Sequence, residues 1–370
     1  FTLTLGSTTS DLTVINAIAI DASTEGITTG TADLLLSALT LSAGDVTSTG
    51  GIVSLSGGGQ LSGTGKLDVS GSTWVLGGDF VKSSGTLTIS QTNLALSGNS
   101  TLTSDNASSL VEALSFVTLN LNNFKLTLGS STSDLTVINA ITIDAITEGI
   151  STGEADLILM SALTMSEGLL QSSGGTWEFN GDFKKTGGTL SITETNLTLT
   201  NNITLESDVA LSFVTLNLNL YTLTLGSSTS DLTVQNAITI DQNNEGISTG
   251  DADLILNESQ TISGQGSITS TGGIISLQEG GELYGSGILD VSGSIWTLGG
   301  DFEKSNGTLT MSGTTLKLED NSTLTSDEAL SFVRLNLNDF TLTLGSTTSD
   351  LTVINAITID ASTEGISTGG

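Results

Sequence analysis

Residues 1–30 read FTLTLGSTTSDLTVINAIAIDASTEGITTG, and closely similar segments begin at Phe124, Tyr221 and Phe340. The intervals between the four starts are 123, 97 and 119 residues. Such self-similarity is the signature of a repeat architecture, in which each unit is stabilised mainly by its neighbours. The repeated segment therefore decides the fold class.

A second landmark, a Trp followed by Gly-Asp-Phe, shows where the repeats differ in length. It recurs as WVLGGDF at Trp74, WEFNGDF at Trp177 and WTLGGDF at Trp296. Before its Trp the middle repeat lacks one block, the counterpart of GIVSLSGGGQLSGTGKLDVSG in the first repeat. A solenoid tolerates the loss of a whole coil, because each coil touches only the coils beside it.

The missing block also estimates the length of one coil. A coil of about 20 residues gives six, five and six coils in the three repeats, and a coil of about 24 residues gives five, four and five. Both lengths fit the intervals. The predicted organisation is one continuous solenoid with repeats at 1–123, 124–220 (one coil shorter) and 221–339, and the start of a fourth at 340–370.

The local pattern predicts strands. Runs such as TLTL, LTV and KLTL alternate apolar residues with Thr, and others with Asn or Ser, which is typical of a strand with one buried face. Gly, Asn, Ser and Asp cluster where a coil must turn. Only NASSLVEAL at 106–114 has a helical character, and we interpret it as a local bulge because its extra residues are missing from the other copies.

These observations predict an all-β fold, a parallel β-helix (β-solenoid) of about 20–24 residues per coil. A right-handed winding is favoured, because parallel crossovers have a strong chiral preference. The residues predicted to point inward in the first coil are Leu3, Leu5, Leu12, Val14, Ile18 and Ile20.

The composition excludes several classes of function. The chain has no Cys, His or Pro, so disulfide scaffolds and Cys/His zinc sites are impossible and most nucleophilic and imidazole chemistry is missing. The formal charge of −31 repels nucleic acid and anionic lipid. No apolar stretch reaches the ~20 residues of a membrane helix, so we expect no nucleic-acid partner and no membrane insertion.

A family resemblance follows from the corner before each repeat. The phrase LNLNNFKLTLG at Leu119–Gly129 and its counterparts NLNLYTLTLG and NLNDFTLTLG resemble the Asn-Gly-x-Thr-Leu-Thr-Leu coil of right-handed β-helices of the pectin-lyase type. The usual Gly is replaced by Asn123, Leu220 and Asp339. The Cys-free Gly/Ser/Thr/Leu repeats are similar to those of bacterial surface proteins of the filamentous-haemagglutinin and autotransporter adhesin kind.

That resemblance implies a structural protein, an extracellular or cell-surface fibre, filament or adhesin stalk, with cell-surface glycan as a candidate partner. The alternative is a carbohydrate-binding or carbohydrate-active β-helix module. Lyases of the resembled fold use an Arg or Lys base beside calcium carboxylates, and the related hydrolases use close Asp groups including an adjacent pair. This chain has no Asp-Asp pair and a single Arg, Arg334, so we expect no enzyme and no catalytic residues.

One candidate metal site recurs in the repeats. In each copy an Asp and a Glu lie four residues apart, and carboxylate oxygens are hard ligands that suit Ca²⁺. The alternative is a solvated turn, and no other cofactor is expected. The candidate ligands are Asp21 with Glu25, Asp144 with Glu148, Asp241 with Glu245, and Asp360 with Glu364.

Three further patterns have two interpretations each. Trp74, Trp177 and Trp296 suit either a sugar-stacking platform or the core. Thr-x-Thr pairs such as Thr2 with Thr4 suit an ice-binding face only if they align on consecutive coils. The Asn-x-Ser/Thr sequons are as many as chance predicts from the Asn, Ser and Thr content, and they begin at Asn99, Asn106, Asn196, Asn202, Asn257, Asn306 and Asn321.

The last pattern concerns assembly. Residues 340–369 match residues 1–30 at 28 of 30 positions, and neither end shows a capping helix or a polar terminal coil. Isolated solenoids need such caps to protect their open strands. We therefore expect either continuation of a longer repeat array, which we favour, or end-to-end self-assembly of separate chains.

Overall fold

The structure, a computed structural model, describes residues 1–105, 114–359 and 361–368. Residues 106–113 of the predicted bulge, and the candidate ligand Asp360, lie outside the described residues. The chain forms two compact units, one of residues 1–179 with 185–195 and one of residues 180–184 with 196–370.

Short strands separated by turns make up the regular structure of the described residues. The first 27 are β1 (Thr2–Thr4), β2 (Leu12–Val14), β3 (Ile18–Ile20), β4 (Gly26–Gly30), β5 (Leu34–Leu36), β6 (Leu39–Leu41), β7 (Asp45–Ser48), β8 (Ile52–Leu55), β9 (Gly59–Leu61), β10 (Lys66–Asp68), β11 (Thr73–Leu76), β12 (Phe80–Lys82), β13 (Thr86–Thr88), β14 (Asn93–Leu96), β15 (Ser100–Ser104), β16 (Leu114–Phe116), β17 (Thr118–Asn120), β18 (Lys125–Leu128), β19 (Leu135–Val137), β20 (Ile141–Ile143), β21 (Gly149–Ser151), β22 (Leu157–Leu159), β23 (Leu163–Met165), β24 (Leu169–Ser172), β25 (Thr176–Phe179), β26 (Phe183–Lys185) and β27 (Thr189–Ile192).

The remaining strands are β28 (Asn196–Leu199), β29 (Ile203–Ser207), β30 (Leu211–Phe213), β31 (Leu216–Asn217), β32 (Thr222–Leu225), β33 (Leu232–Val234), β34 (Thr239–Ile240), β35 (Gly246–Gly250), β36 (Leu254–Leu256), β37 (Gln260–Ile262), β38 (Ser267–Ser270), β39 (Ile274–Leu277), β40 (Gly281–Leu283), β41 (Ile288–Asp290), β42 (Ile295–Leu298), β43 (Phe302–Lys304), β44 (Thr308–Thr310), β45 (Thr315–Leu318), β46 (Ser322–Ser326), β47 (Leu330–Asn336), β48 (Thr341–Leu344), β49 (Leu351–Thr358) and β50 (Gly365–Thr368).

In the first unit each strand pairs, in parallel, with the third strand along the chain. Three sheets have the orders β1-β4-β7-β10-β13, β2-β5-β8-β11-β14-β17 and β3-β6-β9-β12-β15-β18-β21-β24-β27. The strands β16-β19-β22-β25 and β20-β23 of this unit pair in the same way in two further sheets. One turn therefore holds three strands. The predicted all-β parallel β-solenoid is confirmed, and the right-handed winding sense stays a prediction.

The turns vary in length around an average of about 21 residues, which lies between the two predicted lengths. Thr2 pairs with Gly26, and Gly26 in turn pairs with Asp45, so the first of these two turns is the longer one. The longer turn carries the repeated segment, and Lys125 paired with Gly149 encloses a turn of the same length in the next repeat. Two extended corners in this segment account for its extra residues.

The second unit follows the same rule, with the strand orders β29-β32-β35-β38-β41-β44, β30-β33-β36-β39-β42-β45-β47-β49 and β34-β37-β40-β43-β46-β48-β50, and with β28 paired to β31. Strands β47 and β49 are longer, because each runs on through a corner where the earlier copies have two separate strands. No helix in the described part of the chain is long and apolar enough to cross a membrane.

Equivalent strands of successive repeats lie on different faces of each unit. In the first unit β18, the counterpart of β1, lies in the sheet that begins with β3. In the second unit β48, the counterpart of β32, lies in the sheet that begins with β34. A repeat is therefore one strand short of a whole number of turns.

The core consists of alternate side chains that stack on like residues in the next turn. Leu34, Val53, Trp74 and Leu94 follow one another in register, and all are fully buried. Burial of apolar surface is worth about 25 cal/mol per Å² and stabilises this Gly-rich chain against its conformational entropy.

The residues predicted to point inward in the first coil lie less deep than their counterparts. Leu3 is 48% exposed, whereas Leu126 and Leu223 at the same position of later repeats are 0% exposed. Of the six predicted residues only Ile20 is buried. The predicted inward direction fits the buried copies in the later repeats.

Candidate functional sites

The predicted calcium ligand Glu148 has both carboxylate oxygens occupied by backbone donors. Its Oε2 accepts the N–H groups of Asp144 at 3.0 Å and Ala145 at 3.3 Å. Its Oε1 accepts the N–H of Asn123, one turn earlier, at 3.0 Å. The residue is only 7% exposed, so the carboxylate closes its own corner and holds the preceding one.

The other copies repeat this arrangement. The corresponding bonds join Glu245 to the N–H groups of Asp241, Gln242 and Leu220, Glu364 to those of Ala361 and Asp339, and Glu25 to those of Asp21 and Ala22. The Asp side chains of the first three pairs are exposed. Within the described ranges, no three His, Cys, Asp or Glu side chains are grouped so as to hold a metal ion.

The three Trp side chains lie in the core. Trp74, Trp177 and Trp296 are at most 1% exposed, and Trp74 meets the ring of Phe80 edge-on with centroids 4.9 Å apart. Trp296 and Phe302 repeat that geometry at 5.0 Å. The sugar-stacking interpretation of these residues is therefore wrong, and the interpretation as core residues is confirmed.

Each repeat also buries a lysine that the sequence analysis missed. Lys82, Lys185 and Lys304 are 2–4% exposed and follow a buried Phe by two residues, so period-two alternation could have placed them inside. Lys82 Nζ donates to Asp105 Oδ1 at 2.8 Å. Lys304 Nζ bonds Asp327 and lies 3.2 Å from Glu328 Oε1.

Charge pairing governs the protonation of Lys304. Burial lowers the pKa of its ammonium, but hydrogen bonds to Asp327 and Glu328 and the charges of those carboxylates outweigh this, and the net pKa is raised. The interior cation is therefore fully charged at neutral pH.

A second set of carboxylates links successive turns along one corner. Asp134 Oδ1 accepts the N–H of Asp156 at 2.9 Å, and Asp156 Oδ1 accepts that of Thr176 at 2.7 Å. Burial raises the pKa of Asp156, and the charge of Asp134 adds to the increase, while the bonds from Thr176 oppose it. Like charges one turn apart make this corner locally unfavourable.

In the sheet that holds Thr2 and Thr86, the Thr-x-Thr pairs do not align on consecutive turns. Between Thr2 and Thr86, which lie in one sheet, the register positions are Gly26, Asp45 and Lys66. Charged residues therefore interrupt the column that an ordered ice-binding face requires.

Two recesses of the second unit differ in character. One, of about 570 Å³, is lined partly by apolar residues, including Leu344, Leu351 and Ile366, and partly by polar ones, including Ser346 and Asp350. The other, of about 220 Å³, is shallow and acidic, with Glu282, Asp301 and Glu303 at its rim.

No protein-family model, curated protein or solved structure matches the chain. The fold is thus established by the structure, while the likeness to adhesin and pectin-lyase repeats rests on the sequence phrases alone.

Proposed function

We propose that the chain is a structural repeat protein, a section of an extracellular or cell-surface fibre, filament or adhesin stalk without catalytic activity. One observation carries this proposal. Turns built from closely similar repeats stack in register on a largely aliphatic interior, so the repeated sequence extends one kind of scaffold. An enzyme instead needs one unique constellation of side chains, and near-identical repeats produce equivalent surfaces.

The proposal includes either continuation of a longer repeat array or end-to-end self-assembly of separate chains. Ile366 is 37% exposed in the last turn, whereas Ile150 and Ile247 at the same position are at most 1% exposed. Leu3 in the first turn shows the same contrast with Leu126. In this proposal these surfaces accept another coil, supplied by a longer repeat array or by a second copy of the chain.

Two observations support a passive surface. The side chains with carbohydrate-stacking shape that recur in every repeat, the three Trp, are enclosed in the core. The net charge of −31 favours solubility and opposes lateral clumping of long apolar objects. Both observations fit a stalk whose surface has no binding role.

Negative-stain microscopy of native material tests the proposal. We expect continuous thin filaments or thin elongated particles. Compact monodisperse particles would contradict the assembly role, and saturable binding on a glycan array would favour the carbohydrate-binding alternative instead.

A variant separates the assembly surface from general surface effects. Ile366→Lys places a charge in the last described turn. Ile146→Lys makes the same change at a corner residue that is 80% exposed. We expect only the first to shorten assemblies of the chain in sedimentation velocity. Equal behaviour of the two variants at matched melting temperature would count against these turns as the assembly surface.

A further inference from the structure

One exposed asparagine corner recurs at the same place in all three repeats. Asn99, Asn202 and Asn321 immediately precede strands β15, β29 and β46, and all three are exposed. In each, the side-chain Oδ1 accepts a backbone N–H from the next turn, that of Lys125, Thr222 or Thr341, at 2.8–2.9 Å. This bond fixes the plane of the amide.

A carboxylate performs the same task one turn earlier. Asp79 Oδ1 accepts the N–H of Thr101 at 2.8 Å, and Asp301 Oδ1 accepts that of Thr323 at 2.7 Å. A carboxylate oxygen can therefore accept the N–H of the next turn as well as an amide oxygen does. What distinguishes the asparagine corner is its Nδ2 group, which forms no hydrogen bond within the described residues.

The residues around the three corners vary, but the sequon does not. The middle position is Ser100, Ile203 or Ser322, and the preceding residue also changes. A Thr nevertheless follows each Asn by two positions, which completes the Asn-x-Ser/Thr pattern of an N-glycan acceptor.

The remaining sequons lack these properties. Asn196 lies within strand β28, and its Oδ1 accepts the hydroxyl of Thr215 at 2.7 Å. Asn257 and Asn306 do not recur, because the first repeat has Ser37 and Ser84 at those positions. Asn106 lies outside the described residues.

We propose that Asn99, Asn202 and Asn321 are N-glycosylation sites that take a sugar activated through an anomeric phosphate. The Nδ2–C1 bond forms as the C1–O bond to the phosphate breaks, the phosphate leaves with the bonding electron pair, and one Nδ2 proton passes to the transferase base. The product keeps Oδ1 free to accept its backbone donor. The glycan therefore extends outward without disturbing the next turn.

Space at the corner agrees with this assignment. Extending the strand register, the position one turn before Asn99 is Gly77 and the one before Asn321 is Gly299. These two glycines place no side chain of the preceding turn beside the amide, whereas the middle repeat has Asn180 at this position. In the second unit the glycans on Asn202 and Asn321 lie on different faces, because the strands that follow these residues, β29 and β46, belong to different sheets.

Glycopeptide mass spectrometry of the full chain from its native source tests the proposal. We expect a hexose or N-acetylhexosamine increment on all three asparagines and none on Asn196. Unmodified asparagine at all three corners overturns the proposal, and so does equal occupancy of Asn196, since the corner geometry would then select nothing.

A paired substitution checks that the sequon directs the modification. Thr204→Ala keeps Asn202 and its bond to Thr222 but removes the sequon, and we expect it to abolish the glycan on Asn202 only. Retention of that glycan overturns the proposal. Filament formation is scored separately by microscopy, so the failure of the glycan assignment is distinguishable from failure of the structural role.

Discussion

Glu148 Oε1 accepts the backbone N–H of Asn123 at 3.0 Å, and this bond joins two successive turns of the first unit. Asn123 has a φ of +71°, so its N–H is presented by a left-handed corner that few residues adopt. The other oxygen of the same carboxylate holds the N–H of Asp144. A single buried side chain thus fixes two corners.

Replacing this carboxylate tests its structural role. Glu148→Gln should lower the free energy of unfolding by about 2 kcal/mol, because hydrogen bonds to charged groups are worth about 1.5–3 kcal/mol and one amide end would face backbone donors. Urea unfolding measures the loss, and hydrogen exchange should show weaker protection of the Asn123 amide. The exposed Glu154→Gln variant is the control, and equal effects of the two would contradict the role.

Replacing Leu220 with Asn should stabilise the folded chain. It is a non-glycine residue with φ +75° and a side chain that is 54% exposed, so it has backbone strain with little packing to offset it. Left-handed backbone costs an L-residue about 1–2 kcal/mol. Leu220→Asn should raise the free energy of unfolding by up to about 1 kcal/mol, since Asn tolerates this region.

The same corner in the other repeats supplies the control for that measurement. Asn123→Leu, the reverse change, should destabilise by a similar amount in chemical denaturation. A loss of stability in Leu220→Asn would show that the exposed leucine contributes packing that its burial does not reveal.

Whole turns should be removable from the first repeat. Val53 is in register with Trp74, and in the shorter second repeat Trp177 is in register with Leu157 directly. Deleting residues 52–72 joins Gly51 to Thr73 and reproduces the Gly175-Thr176-Trp177 sequence of the second repeat. The product should fold, because each turn contacts only its neighbours.

Circular dichroism and a cooperative melt measure that outcome. Deleting residues 53–62, about half a turn, is the matched control and should abolish cooperative unfolding because the later strands lose their register. If both deletions fold equally well, turns are not the unit of this architecture.

Sequence periodicity predicted the fold well because strand alternation and whole-coil deletion are direct consequences of solenoid packing. It left the coil length open, since the longer and shorter turns that meet at Gly26 average out over a repeat. The backbone bonds of Glu148 could not be predicted, because a carboxylate that binds backbone and one that binds Ca²⁺ look identical in sequence, and the calcium site stays a prediction. The buried Lys304 was missed because its stabilising partners, Asp327 and Glu328, lie a whole turn further along the chain.

Removing the buried Lys304 and removing its carboxylate partners should have opposite effects on stability. Removing the carboxylates by the double change Asp327→Ala and Glu328→Ala leaves a buried ammonium unpaired and should cost about 1–3 kcal/mol, less than for a fully buried pair because both acids are partly exposed. Lys304→Met should be neutral or stabilising. Denaturant midpoints compare them, with Lys317→Met at a partly exposed pair as control.

The pH dependence of this pair follows from the raised pKa of Lys304. A lysine whose pKa is higher in the folded than in the unfolded chain contributes stability that is complete below its ordinary pKa. That contribution is lost as the pH rises through the folded value. The Lys304→Met variant should therefore lose less stability than the parent chain in strongly alkaline buffer, and parallel curves would contradict the pairing.

Asp156 has the opposite dependence. Its pKa is raised by burial and by Asp134, so the folded chain holds the proton more tightly than the unfolded chain does. Stability should fall as the pH rises from the ordinary Asp value of 3.8 through the raised value, and then stay level.

Asp156→Asn keeps an oxygen for the Thr176 N–H, removes the charge, and should stabilise the chain at pH 7 by less than about 1 kcal/mol. Below pH 3 the two chains should have the same stability, because both then carry a neutral side chain. Urea midpoints at the two pH values decide the matter, and a variant that is weaker than the parent at pH 7 would show that the charged form is the better partner for Thr176.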